Sequence, residues 1–239
     1  MKYRILSVLL AAAFLLGAGA LYKGDFWTLR TDRQKEDAIT EYASNTERYE
    51  TDLRAWLHPV LLQDEIIGSH RVLTFTDQEI PNLLGYVLFR CGIFGGWQPL
   101  SASYGADTLV QTFYLEEEHV RVVFAANCPS EAAYYKVQAN LSEPDTLMAE
   151  GDVTSPAFFH TYSTDRNFFP QIYLYDAEGR ELPRLASDPS VPSPSIGSAE
   201  TNLIYVFCAI VLWVGFLVVR YCWLAGTEKN TKEDTAAEA

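Results

Sequence analysis

The residues best suited to nucleophilic, acid–base or metal chemistry are four histidines, His58, His70, His119 and His160, and four cysteines, Cys91, Cys128, Cys208 and Cys222. Their spacing supports little of that chemistry. No HExxH, CxxC or mixed Cys/His cluster sets ligands at the intervals a zinc site uses. A serine nucleophile would need a GxSxG elbow or an SxxK pair, and neither occurs. The glycines of Cys91-Gly92-Ile93-Phe94-Gly95-Gly96-Trp97 lack the spacing and the lysine that cradle phosphates, so they read as turn residues. With 31 Asp and Glu side chains, no carboxylate pair stands out as a glycosidase pair. Glu116-Glu117-Glu118-His119 would attract a cation, but neighbouring strand residues point to opposite faces, which favours an exposed hairpin end. The sequence therefore offers no catalytic residue, no cofactor site and no metal ligand set.

Two groupings remain. Cys91 and Cys128 form an even pair in a region expected to be exported, where a disulfide would close a loop of roughly 38 residues and contribute about 3 to 4 kcal/mol. Tyr134, Tyr173 and Tyr175 fall on predicted strand faces and offer a ligand or partner surface able to stack on sugars or peptide. Ordinary cross-strand packing is the plainer reading of the same tyrosines. Cys208 and Cys222 lie in or beside an apolar run, as small apolar residues or acylation candidates.

The elements that must position these residues follow from periodicity. Thr31 and Gln34 have capping-box spacing, and Ile39, Tyr42, Thr46, Tyr49, Leu53 and Trp56 recur at steps of three and four, which predicts an amphipathic helix from Thr31 to His58 ended by Pro59. Glu50 stands four residues ahead of Arg54 on its polar side. Val72 to Thr76 reads as a strand, Pro81 to Phe89 as a short buried helix, and Cys91 to Trp97 as a loop. After Asp107 the period becomes two. Leu109 to Leu115, Val120 to Ala126, Tyr134 to Leu141, Ala157 to Ser163, Gln171 to Tyr175 and Arg180 to Leu185 are predicted strands, with Asp176-Ala177-Glu178-Gly179 as a tight turn. Short connections imply antiparallel pairing.

Both ends are apolar. Lys2 and Arg4 precede an uncharged run from Ile5 to Tyr22, and Ala18-Gly19-Ala20 has the small residues of a signal-peptidase site, so residues 1–22 read as a transmembrane helix or a cleaved signal. Leu203 to Val219 is a second uncharged run, flanked by Tyr205 and by Arg220, Tyr221 and Trp223. The expected organisation is a segment 1–22, an extracytoplasmic α+β domain over 23–185, a Pro/Ser linker over 186–200 that holds the domain off the bilayer, a transmembrane helix over 201–225 and a disordered polar tail over 226–239. The fold class is thus an N-terminal amphipathic helix plus antiparallel sheet between two membrane segments. Arg220, Lys229 and Lys232 follow the second segment while 186–201 holds no Lys or Arg, which puts the C-terminus in the cytoplasm and the domain outside the plasma membrane. Between Leu21 and Thr201 there are 27 acidic and 13 basic side chains, a balance of −14 that argues against nucleic-acid partners.

The order of anchor, helix, antiparallel sheet and second anchor is similar in outline to extracytoplasmic sensor domains of the PAS-like kind. Those proteins carry an output module after the second helix, where this chain has a short polar tail. The expected function is a non-enzymatic accessory or interaction subunit, its partners the lipid bilayer and a membrane or extracytoplasmic protein. A ligand sensor lacking its own output and a membrane-anchored envelope enzyme are the alternatives.

Overall fold

The computed structural model describes residues 2–43, 57–106, 109–139, 147–165, 170–184, 195–197 and 202–237. It divides into two compact units, Thr28–Ser198 and the terminal segments Met1–Trp27 with Ala199–Ala239.

In the terminal unit, α1 (Lys2–Asp25) packs along α3 (Leu203–Ala237). Each contains a 23-residue stretch, Tyr3–Asp25 and Leu203–Ala225, long and apolar enough to cross a membrane. The two helices run antiparallel. The Arg4 guanidinium lies 5.4 Å from the Trp223 ring centroid, the Cys208 thiol donates to the Ala18 carbonyl at 3.6 Å, and Tyr22 stacks on Phe26 at 4.0 Å beside Tyr205. The polar tail, expected to be disordered, is helical as far as Ala237. Its Glu, Lys and Ala residues are strong helix formers that extend a helix already nucleated upstream.

The larger unit begins with α2 (Asp32–Ala43). Its capping box is formed: the Gln34 amide donates to Thr31 Oγ1 at 3.3 Å, and the Thr31 amide donates to Gln34 Oε1 at 3.2 Å. The remaining helix markers from Thr46 to Trp56, with Glu50 and Arg54, lie outside the described residues. Leu57 and His58, expected in the helix, instead lead into a strand. Asp77 fixes that entry, accepting from the His58, Glu79 and Ile80 amides.

All strand pairings are antiparallel among the described residues. The first sheet has the order β1-β2-β3-β4-β11, built from β1 (Pro59–Ile67), β2 (His70–Asp77), β3 (Leu84–Cys91), β4 (Trp97–Gly105) and β11 (Ser195–Gly197). A second has the order β5-β6-β9 from β5 (Val110–Leu115), β6 (Val120–Ala125) and β9 (Phe158–Ser163). The third, β10-β7-β8, uses β7 (Tyr134–Ala139), β8 (Leu147–Asp152) and β10 (Pro170–Tyr175).

The second sheet is a middle layer. Val122 and Phe124 pack on Val72, Leu84 and Leu88 of the first sheet, while Val123 and Ala125 pack on Tyr135 and Val137 of the third. Burial on both faces explains the nearly unbroken apolar run of β6. On its other side the first sheet meets α2, which packs against β1, β3 and β4. There Lys35 of α2 reaches Asp64 of β1 at 2.9 Å, and Asp64 also takes a two-pronged bond from Arg71.

Several expectations change. Pro81 to Phe89 is not a helix: residues 84–89 belong to β3, whose two faces are both buried, so its apolar run imitates a buried helix. Strands β1, β4 and β8 carry polar or glycine-interrupted patterns that gave no strand signal. Of the predicted strand Arg180 to Leu185, the described residues 180–184 contribute a single bridge, Glu181 with Tyr175, and Pro183 interrupts further pairing, while Leu185 lies outside the described residues. Residues 195–197, inside the segment read as a linker, pair with β4, so Pro189, Pro192 and Pro194 precede a strand of the same unit.

Cys91 and Cys128 are not joined; both thiols are free. Cys91 is exposed at the end of β3, whereas Cys128 is buried in the core between the second and third sheets, and burial pushes its thiol up to about 11. Maleimide labelling of the folded protein is expected to modify Cys91 quickly and Cys128 only after denaturant is added, checked by peptide mass. Equal labelling of both would contradict this packing.

Candidate functional site: a cleft lined by three sheets

The residues singled out by their chemistry are not gathered. His58 is exposed beside Glu79, His119 sits in the β5–β6 turn, and His160 is bonded to the Tyr135 hydroxyl at 2.6 Å between the second and third sheets. Tyr135 is fully buried there and also bonds the Tyr162 hydroxyl. Among the described residues, no group of three or more His, Cys, Asp or Glu side chains is placed to hold a metal ion.

The acidic β5–β6 hairpin end has a structural role. Glu118 accepts from the Ser69 amide at 2.8 Å and lies 3.3 Å from His70 Nδ1, while Glu117 pairs with Arg90 at 3.3 Å. The Ser69 amide bond, supported by His70 and the Ser69 hydroxyl, holds the Glu118 carboxyl below its ordinary 4.5. A carboxyl lowered on folding stabilises the fold at pH above its unfolded value and loses that contribution as pH falls through the folded one. Glu118→Gln is therefore expected to make stability, read as the urea-unfolding midpoint by circular dichroism, fall less steeply as pH drops below about 4.5; the same pH dependence as wild type would contradict the latch.

Tyr134 and Tyr175 face each other across β7 and β10, stacked at 5.1 Å and 10°. The Lys136 ammonium lies over both rings, 5.6 and 5.3 Å from their centroids. One ring face of each tyrosine is thus taken up within the sheet. Tyr173, next along the same face, accepts the Arg184 guanidinium 4.6 Å above its ring and bonds Gln171 through its hydroxyl.

Tyr173 also belongs to a cleft of ≈ 620 Å³. Its floor is Tyr86, Ser103 and Tyr104 from the first sheet; one wall is Leu109 to Thr112, the start of β5, and the other is β10 with residues 181–184. The volume falls in the range of small-ligand sites. Two strand edges face it. The Leu109 carbonyl bonds towards β6 and the Leu174 carbonyl bonds away from β7, to the Leu182 amide, so by alternation the backbone groups of Thr112 and Ile172 point off their sheets.

Gln111 is held by a bond from its Nε2 to the Leu84 carbonyl at 2.8 Å. Tyr86 stacks on Phe113 at 4.1 Å, and burial raises its phenol above the ordinary value, so it stays neutral. Glu181 and Arg184 are exposed at the rim, without an ion pair among the described residues. The arrangement offers aromatic faces, amides and one charge of each sign: recognition chemistry, with acid–base capacity confined to the rim. Sequence reasoning found Tyr173 alone, because the lining comes from separate elements that periodicity does not bring together.

Comparison with protein-family models, with curated proteins and with solved structures finds no match to this chain.

Proposed function

We propose that the protein is a non-enzymatic subunit of a membrane complex, held by α1 and α3 in the bilayer and presenting the β-rich unit outside the cytoplasmic membrane. The observation that carries this reading is the cleft, lined by tyrosines, glutamines and aliphatic side chains with a single Glu and Arg at its rim. Such a lining suits binding of a partner segment more than bond cleavage. The two apolar helices support membrane attachment. Arg220, Lys229 and Lys232 after the apolar part of α3, against none in 186–201, support a cytoplasmic C-terminus.

The test is photo-cross-linking from a benzophenone residue at position 173, at native expression in intact membranes, followed by purification in mild detergent. A discrete adduct with one other membrane or envelope protein, absent when the probe sits at exposed position 131, supports the proposal. A chain that purifies alone with no adduct contradicts it.

A further inference from the structure

The middle layer is a three-stranded sheet lying against a five-stranded one, and it ends at β5. Beside that edge, where a fourth strand of the layer would run, lies the cleft, with Tyr86 and Ser103 of the first sheet on one side and β10 with residues 181–184 on the other. The Leu109 carbonyl accepts from the Ala126 amide, so alternation turns the main-chain groups of Gln111 and Phe113 towards β6 and those of Thr112 and Tyr114 away from it. Val110, the first outward residue, is already engaged. Among the described residues, the outward amides and carbonyls of Thr112 and Tyr114 have no partner.

Resting on the proposal above that a partner protein occupies the cleft, we infer that its segment is extended and adds to β5 as a fourth strand of the middle sheet. Outward amides and carbonyls two residues apart, about 7 Å along the strand, match the main chain of another strand and not that of a helix, whose amides and carbonyls are bonded within it. Paired residues share a face, which sets the pattern of the segment. Val110 faces the core shared with the third sheet, so Thr112 does too, and the residue opposite Thr112 points at Ile172, Leu174 and Leu182. Gln111 and Phe113 face the first sheet, so the residues on either side point at Tyr86 and Ser103. The segment therefore carries an apolar side chain between two small or polar ones. At the rim, Arg184 and Glu181 have no ion pair among the described residues, and a segment with one charge of each sign in its flanks complements both.

The photo-cross-link from position 173 reads occupancy of the cleft, and two substitutions at Thr112 read the strand. Thr112→Val and Thr112→Pro both remove the hydroxyl that donates to the Val122 carbonyl at 2.6 Å, but only Thr112→Pro removes the outward amide. Proline is tolerated on an edge strand where that amide bonds nothing in its own sheet. Thr112→Val is expected to keep the adduct within about twofold of wild type, and Thr112→Pro to lower it about tenfold or more. In the wild-type complex purified in mild detergent, the Thr112 and Tyr114 amides are expected to exchange hydrogen about tenfold or more slowly than in the chain alone, read residue by residue by mass spectrometry. Equal adduct from Thr112→Val and Thr112→Pro, or amides that exchange as fast in the complex as alone, would overturn strand addition and leave the partner in place. No adduct from wild type, or an adduct with a second copy of this chain, would overturn the partner and the strand together.

Discussion

Replacing Gly215 by leucine is expected to separate the two terminal helices. A Cβ at position 215 would stand 2.6 Å from Phe14 Cγ and 2.8 Å from Phe14 Cβ, and the latter is fixed to the backbone of α1 and cannot swing aside. Within a bilayer, helix pairs hold together through close packing at small residues, since the lipid is as apolar as their side chains. Overpacking there costs about 1 to 3 kcal/mol, roughly a 5- to 150-fold loss of pairing. The readout is disulfide trapping between an Ala18→Cys replacement and the native Cys208, whose thiol already reaches the Ala18 carbonyl. Efficient trapping is expected in the Gly215 background and poor trapping in the leucine variant. Adding Phe14→Ala, which vacates the space, is expected to restore it. Equal trapping in all three would mean that the helices do not meet at Phe14 and Gly215.

A second large effect is expected in the β unit. Gly85 lies on β3 against Tyr104 and Phe75, and a Cβ there would meet Tyr104 Cβ at 2.5 Å and Phe75 Cζ at 2.6 Å. Both neighbours are buried. Gly85→Val is expected to destabilise the unit by about 3 kcal/mol, a fall in melting temperature of roughly 6 to 12 °C for a unit of this size. Because Tyr104 also lines the cleft, the same substitution is expected to weaken the cross-link from position 173 even below the melting transition. A melting temperature within a degree or so of wild type would show that Tyr104 is not seated on this glycine.

What could be read from the sequence followed the strength of local patterning. The apolar runs at both ends, the capping box at Thr31, the strands from Leu109 to Tyr175 and the Asp176 turn each depend on a few adjacent residues, and each has its counterpart in the fold. The misreading at 81–89 came from β3 being buried on both faces, which removes the alternation that marks a strand. β8 gave no signal because Glu150, Gly151 and Asp152 break its apolar pattern on an edge strand. An even number of cysteines suggests a Cys91–Cys128 pair, but parity carries no information about which layer each thiol enters. The cleft depends on tertiary assembly: Tyr86, Gln111, Tyr173 and Arg184 are distant in the chain, and only the meeting of the β5 and β10 edges brings them together.

The central claim is that the chain is anchored at both ends, with α1 kept as the antiparallel partner of α3. Ala18, the first residue of the small-residue site in Ala18-Gly19-Ala20, is buried against α3, so cleavage after Ala20 would remove most of one helix of the pair. Intact mass spectrometry of the protein extracted from its native membrane tests this most directly. The account predicts the full-length mass of 26.9 kDa. A mature species lacking residues 1–20 would contradict it.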